Sequence, residues 1–298
     1  MSNVRSWVKA ARLRTLPLAL SGILVGSGVA LYDGYFRWEI FVLAIFTATS
    51  LQILSNFAND YGDFLKGTDN DRRVGPTRTM QSGEIEVGAM RKAIALTIIL
   101  SLILGFSLIY ISQISWQAIS IFALLGVLCI LAAYFYTAGK HSYGYAGLGD
   151  LSVFIFFGII PVSALYFLYA HNFNILSLLP AIGMGCFSTG VLNLNNMRDC
   201  ENDLASGKIT VAGKLGIEHA KFYHAALIVC GWLSILLFSS LHFTRIWQYI
   251  FVLALPFFFK DLIAIFREKQ LPQLDPFLKK LSLSTLLFAF LWLMACAF

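Results

Sequence analysis

Charge is what this chain has least of. Only 13% of its 298 residues are Asp, Glu, Lys or Arg, while 58% are hydrophobic and the mean hydropathy is +0.74. An ordinary soluble domain carries about 25% charged residues, so a soluble globular class is excluded. The five cysteines (Cys129, Cys186, Cys200, Cys230 and Cys296) show no pairwise spacing, which removes a disulfide framework and a thiolate zinc centre. Four of them fall inside apolar runs, where a small buried residue is expected. Cys200 lies among acids and is read as a filler on the far side of its helix. The five histidines show no metal spacing either, although His141 stands where it could touch a substrate. Period-two alternation is also missing from the apolar runs, which excludes a transmembrane β-barrel.

What is present is a series of uncharged runs, each near the length of about 20 residues that crosses a bilayer as a helix. Helices satisfy their own backbone in lipid, so the expected fold is an all-α, multi-pass membrane protein. The first run, Thr15 to Leu31, follows a basic segment with Arg5, Lys9, Arg12 and Arg14. It is long and no clear cleavage site follows, so it reads as a spanning helix rather than a signal peptide. The remaining helices are expected at about 38–57, 90–111, 116–136, 151–170, 175–197, 219–240, 246–266 and 281–298. With nine helices, every Lys and Arg except Arg37 and Arg245 falls on one side. By the positive-inside bias, the N-terminus and the long polar links form cytoplasmic caps on a protein of the cytoplasmic membrane, with the lipid bilayer as its partner. The net charge of +6 then reflects orientation and anion binding, and no nucleic-acid partner is expected.

The acids that do occur are concentrated. Asn59, Asp60, Asp63, Asp69 and Asp71 lie where the second apolar run meets the membrane surface. Asn195, Asp199 and Asp203 lie at the end of the sixth, four apart, and would stack on one helical face. The two stretches are four helices apart, the spacing of an internal repeat over about 15–136 and 151–266 plus a ninth helix within a single domain. Two carboxylate faces would then meet across a central cavity. Clustered hard oxygens repel one another unless a cation joins them, and Mg²⁺ is usually held by a few carboxylates plus substrate phosphates. The pattern therefore points to a Mg²⁺–diphosphate site, with Arg78, Arg198, Lys208 and Lys140 to neutralise the anion. The membrane setting suits a substrate with a long hydrocarbon tail. Loss of diphosphate from such a substrate would leave an allylic cation, which aromatic faces such as Tyr136, Tyr143 and Tyr145 stabilise. The competing structural reading is that these acids cap helices and pair with nearby Lys and Arg. It suits any one residue better than both stretches together. Arg91, Lys92, Lys279 and Lys280 read as topology charges.

These residues carry a resemblance. Asn59 and Asp63 match the opening of an N-x-x-x-D-x-x-x-D motif, and Asp199 and Asp203 match D-x-x-x-D, the two motifs of the UbiA superfamily of intramembrane aromatic prenyltransferases. The chain departs where the third acid of the first motif is expected, at Gly67, and carries Asp69 instead. That departure is similar to the superfamily's 1,4-dihydroxy-2-naphthoate polyprenyltransferase branch, which makes demethylmenaquinone. So are the Arg12–Pro17 segment, Arg78 with Ser82 and Gly83, the Tyr143–Gly149 segment, and Asn195 through Thr210. The resemblance implies nine helices and a Mg²⁺-dependent transfer of a polyprenyl group from polyprenyl diphosphate to 1,4-dihydroxy-2-naphthoate, with loss of CO₂. It implies that Asn59, Asp60, Asp63, Asn195, Asp199 and Asp203 form the metal site, that Arg78, Arg198 and Lys208 contact diphosphate, and that Arg12 or Tyr143 places the aromatic acid. Other acceptors of the superfamily (4-hydroxybenzoate, homogentisate or a chlorophyllide) remain open. A secondary transporter is the alternative from another class, since intramembrane acids and repeats mark transporters too.

Asp69 poses a geometric question of its own. In an unbroken helix a two-residue shift turns a side chain by about 200°, which would point Asp69 away from Asp63. To serve the same cation the helix must end near Lys66 and Gly67, and glycine is suited to that. The alternative is a surface pairing of Asp69 with Arg72 or Arg73.

Overall fold

The computed structural model describes residues 3–70, 74–140 and 142–298. Among these, nine helical segments are long and apolar enough to cross a membrane: α1 (Val4–Tyr32), α2 (Trp38–Leu65), α3 (Val87–Ser112), α4 (Trp116–Phe135), α5 (Gly149–Ala170), α6 (Ile175–Arg198), α7 (Ile217–His242), α8 (Ile246–Arg267) and α9 (Leu271–Cys296). Among the described residues the only β-type pairing is one isolated bridge between Ala146 and Ile209. Alternate crossing places both motif-bearing links, the α4–α5 link and the start of α9 at one end of the bundle.

The ends of these helices differ from the hydropathy reading in ways that shape that end. The basic N-terminal segment is itself helical over Val4–Ala11, with Asn3 as its cap, and Arg12 turns the chain in the left-handed region at φ 50°. The second helix runs past its apolar stretch to Leu65, because the cavity-facing side of that extension can be polar. The ninth begins its regular turns at Asp275 rather than near Leu281, behind a proline in the first turn. Within α5, residues Ile155–Ala164 adopt the wider π form around Pro161, which has no N–H to give an ordinary helical bond.

Two apolar cores flank the central space. The larger draws mainly on α1 and α5 to α9, takes in Ile40, Ala44, Leu108, Ile109 and Ala118 from α2, α3 and α4, and carries a cluster of fully buried rings, Phe187, Phe251, Phe258, Phe288 and Trp292. The smaller joins Ala10, Leu54, Phe57, Met80, Ile85, Met90, Ile94 and Ile130, so that the 74–86 link is packed onto α2, α3 and α4. Helices approach closely where glycines meet, as expected in lipid, where association depends on contact rather than on the hydrophobic effect. A Cβ on Gly158 would stand 2.5 Å from Gly185 Cα, which brings α5 against α6. Gly62 plays the same part at the motif end, where a Cβ would stand 2.6 Å from the Thr137 carbonyl carbon.

Candidate active site

A cavity of about 530 Å³ opens between the two cores. On α2 its wall runs from Ala44 to Asp63, a length of about 28 Å at 1.5 Å per residue. That is close to the hydrocarbon thickness of a bilayer, about 30 Å. Its deep part is apolar, with Leu108, Phe122, Phe156, Phe157, Ile160 and Leu168 among the lining residues. Its other end is polar, and both motifs reach it.

The first motif arrives on α2 and the turn after it. Asn59 and Asp63 line the cavity, one helical turn apart. Asn59 Oδ1 accepts from Thr137 Oγ1 at 3.0 Å, and Asp63 Oδ1 accepts from the Tyr145 hydroxyl at 2.7 Å. Burial pushes the Tyr145 phenol up and the Asp63 charge adds to it, so Tyr145 stays a donor. Lys66 Nζ lies 4.0 Å over the Tyr145 ring. Burial pulls this ammonium below the usual lysine range, against the opposing pull of Asp63. The helix stops at Leu65 and Gly67 takes φ +70°. Thr68 N–H then bonds back to Asp63 O at 3.0 Å, and Asp69 is buried on the cavity wall with a carboxylate oxygen 3.7 Å from Arg78 Nε. Any pairing of Asp69 with Arg72 or Arg73 lies outside the described residues, as do Asp71 and His141.

The second motif arrives on α6. Asn195 and Asp199 line the cavity, and the helix bends at Asp199 before a short turn of helix, Cys200–Ala205, presents Asp203. Asp203 Oδ2 accepts from Lys208 Nζ at 2.9 Å. Burial pushes the Asp203 carboxyl above the usual range. Lys208 opposes that shift, and the charges of Asp199 and Asp63 add to it. Asp63 and Asp203 line the same cavity, so the two motifs face a common space. The links behind them are tied as well, since Ile209 N–H donates to Tyr145 O at 3.1 Å. Cys200 is buried, and burial pushes its thiol up, as fits a filler residue.

Three of the residues singled out from sequence stand elsewhere. Asp60, assigned with Asp63 to the cation, is absent from the cavity wall. Its carboxylate is bonded to Arg12, accepts from Thr79 Oγ1 at 3.2 Å and lies 3.5 Å from Arg78 Nη1. Asp60 is one position on from Asn59, about 100° round the helix, and that offset turns it towards the N-terminal segment and the 74–86 link. Arg198, assigned to diphosphate, is fully buried behind the wall: it donates to both Asp199 oxygens at 2.9 and 2.6 Å, to Asn195 Oδ1 at 2.9 Å, and to Asp275. Its positive charge is committed to orienting the motif. Lys140 is exposed and off the wall, on a link whose chain turns outward at Gly139, φ +84°. Arg12, Arg78, Lys208 and Tyr143 do line the cavity, and the Tyr143 hydroxyl donates to Ala132 O at 2.7 Å.

Other cavity residues were missed. Gln52 and Asn56 continue the Asn59–Asp63 face one turn deeper. Asn56 Nδ2 donates to Ala11 O at 2.8 Å and to Thr15 Oγ1 at 3.0 Å, holding α1 to α2. The signal was there: Gln52, Asn56, Asn59 and Asp63 fall at i, i+4, i+7 and i+11 in an otherwise apolar helix. Asp275, Lys279 and Ser282 also line the wall, at i, i+4 and i+7. Starting the ninth helix at Leu281 hid that face and left Lys279 as a topology charge. Asn202, next to Asp203, lines the wall too.

An ion-binding end joined to a membrane-deep apolar channel defines an intramembrane enzyme for an anionic head group on a hydrocarbon tail. The chain belongs to the UbiA prenyltransferase family, whose model matches residues 19–294. It is therefore a prenyltransferase. It is 39% identical over 280 residues to the 1,4-dihydroxy-2-naphthoate octaprenyltransferase of Escherichia coli (strain K12), covering 94% of this chain and 91% of that one. To the enzyme of the same name from Mycobacterium leprae (strain TN) it is 31% identical, over 97% and 95% of the two chains. Its fold is similar to that of a digeranylgeranylglyceryl phosphate synthase, at a TM-score of 0.64 and 17% identity over 100% of this chain and 99% of that one. It is also similar in fold to a UbiA homolog from Archaeoglobus fulgidus bound to DMAPP and Mg²⁺, with a TM-score of 0.57 and 17% identity over 96% and 99%.

Proposed function

We propose that the protein transfers a polyprenyl group from a polyprenyl diphosphate to 1,4-dihydroxy-2-naphthoate, releasing diphosphate and CO₂ and yielding a demethylmenaquinol. The observation that carries the reading is one cavity with two ends, paired acidic motifs with lysine and arginine side chains at one and an apolar channel at the other, along a wall that in total is nearly as long as the bilayer's hydrocarbon is thick. Relatives that share 39% and 31% of their residues with this chain over nearly its whole length bear the name of that reaction.

The donor set suits Mg²⁺. Asp63, Asp69, Asp199 and Asp203 with Asn59 and Asn195 are all hard oxygen ligands lining one space. Burial raises the Asp203 carboxyl and the charges of Asp199 and Asp63 add to that, and a cation among these acids would relieve both burdens. Among the described residues no three Asp, Glu, His or Cys side chains stand close enough to hold a metal ion by themselves; Mg²⁺ would be held here by a few of these oxygens together with the substrate phosphates. When bound, Mg²⁺ supplies Lewis-acid stabilisation of the leaving diphosphate.

The chain's own residues do the rest. Arg78 and Lys208 offer charge-assisted hydrogen bonds to the diphosphate oxygens. Arg12 and Arg78 share the buried Asp60 charge, so their guanidinium groups are held in place before substrate arrives. The allylic C–O bond breaks with its electron pair going to diphosphate. The rings of Tyr136, Tyr143, Phe156 and Phe157 along the wall favour the carbocation by their negative faces. A ring carbon of the naphthoate supplies the electron pair for the new C–C bond, and the carboxylate leaves as CO₂. The surrounding apolar wall excludes water, which would otherwise trap the cation as an alcohol.

The test is product mass spectrometry on purified protein with Mg²⁺, polyprenyl diphosphates of several lengths, and a panel of acceptors. A prenylated, decarboxylated naphthoquinol is expected. Product from 4-hydroxybenzoate or homogentisate and none from the naphthoate would overturn the acceptor assignment.

A further inference from the structure

Asn202 joins the two motifs through protein alone. It sits beside Asp203 on the short Cys200–Ala205 helix, is 6% exposed and lines the cavity. Its Nδ2 donates to Thr68 O at 3.1 Å. Thr68 is the residue before Asp69, its N–H bonds Asp63 O, and its hydroxyl lies 2.6 Å from that of Tyr145, which in turn bonds Asp63. The turn that carries Asp69 is therefore fastened to the first motif from one side and to the second from the other. The opposite atom of the same carboxamide, Asn202 Oδ1, is buried and has no hydrogen-bond donor. A buried acceptor left without a partner in a protein is unusual and calls for one. The carboxamide adjoins Asp203 in the chain and holds the turn that carries Asp69, and both acids line the same cavity as Asn202 and Asp63.

We propose that the two carboxamide atoms of Asn202 have separate tasks. Nδ2 positions the Thr68–Asp69 turn, and Oδ1 is a further oxygen ligand for the divalent cation that accompanies diphosphate. This rests on the metal–diphosphate reading given above.

The test uses the full-length protein in lipid nanodiscs, with Mn²⁺ and inorganic diphosphate as probes and no prenyl substrate. Mn²⁺ binding is read by electron paramagnetic resonance, and the 66–70 turn by backbone hydrogen exchange. Asn202→Leu removes both functions, and should weaken Mn²⁺ binding in the presence of diphosphate about tenfold or more, a loss typical of disturbed metal sites, while exchange of the turn rises. Asn202→Asp keeps an oxygen ligand and loses the donor to Thr68. It should bind Mn²⁺ at least as tightly as the parent and still show the faster exchange. The ligand role is overturned if Asn202→Leu binds Mn²⁺ as the parent does, or if Asn202→Asp is weakened as much as Asn202→Leu. The positioning role is overturned if neither variant changes exchange of the turn. Were the parent itself to take up no Mn²⁺ with diphosphate, the metal–diphosphate reading would fall, and the ligand role with it.

Discussion

Asp60 offers the sharpest test of how this end of the protein works. Sequence pattern places it beside Asp63 as a metal ligand, but in the structure it is a strut. Its side chain is 1% exposed, and those of its partners Arg12 and Arg78 are 12% and 13% exposed. Removing one partner from a buried charge pair leaves the other charge without compensation and costs about 3–5 kcal/mol. A chain of 298 residues shifts its melting temperature by about 1.6 °C per kcal/mol, so Asp60→Asn should melt lower by roughly 5–8 °C. The assay is thermal unfolding in detergent, run beside a Mg²⁺ titration of activity. Asp60→Asn should lower the melting temperature and the maximal rate while leaving the half-saturating Mg²⁺ concentration in place. Asp60→Leu combined with Arg12→Met should recover part of the lost stability, because charge and counter-charge leave together. An Asp60→Asn protein that melts like the parent but needs far more Mg²⁺ would refute the strut.

Three other outcomes are expected. Asp63→Asn should remove most activity with little change in melting temperature, and EDTA should abolish the parent's turnover until Mg²⁺ is restored; full turnover in chelator would take the metal out of the reaction. Asp69→Asn should raise the Mg²⁺ requirement more than Asp71→Asn does, and equal effects in a parallel titration would return Asp69 to a merely structural role. Reporter fusions at Gly83 and Phe298 should report opposite sides of the membrane, with Gly83 cytoplasmic; the same side for both would contradict nine crossings.

Much of the fold can be read from hydropathy, because lipid leaves the backbone few options and each apolar run has to be a helix. What hydropathy does not locate is where a helix ends in a polar environment that the protein makes for itself. The second and ninth helices continue through residues that read as surface links, and Asp275 and Lys279 join the cavity for that reason, while Gln52 and Asn56 lie within the apolar run itself and join it as that run's polar face. The motifs themselves are visible as spacing, and Asn59, Asp63, Asp199 and Asp203 do share one wall. Spacing does not say which neighbour captures a given charge. Asp60 is held by Arg12, which lies 48 residues earlier, and Arg198 by Asp275, 77 residues later. Those pairings depend on tertiary packing and leave no local trace. The Asp69 turn is intermediate: Gly67 suggests a helix end, while Thr68 and Asn202 show how the turn is held.

The cavity's long wall has a consequence for measurement. The helices α3 and α4 that close one flank of it present mostly lipid-facing side chains, with Leu124, Ile121, Ile103 and Phe106 all exposed. A polyprenyl chain partitions into the same lipid, at about 0.8 kcal/mol per buried methylene, and reaches the enzyme by moving within a two-dimensional phase. The concentration that governs its encounter with the enzyme is its mole fraction in lipid or detergent, not its molarity in the tube. Adding inert detergent at fixed substrate and protein should slow the reaction by dilution in the surface, while the soluble acceptor and Mg²⁺ continue to obey bulk concentration. Apparent affinities for the two substrates thus belong to different reference states and are comparable only after each is expressed in its own phase.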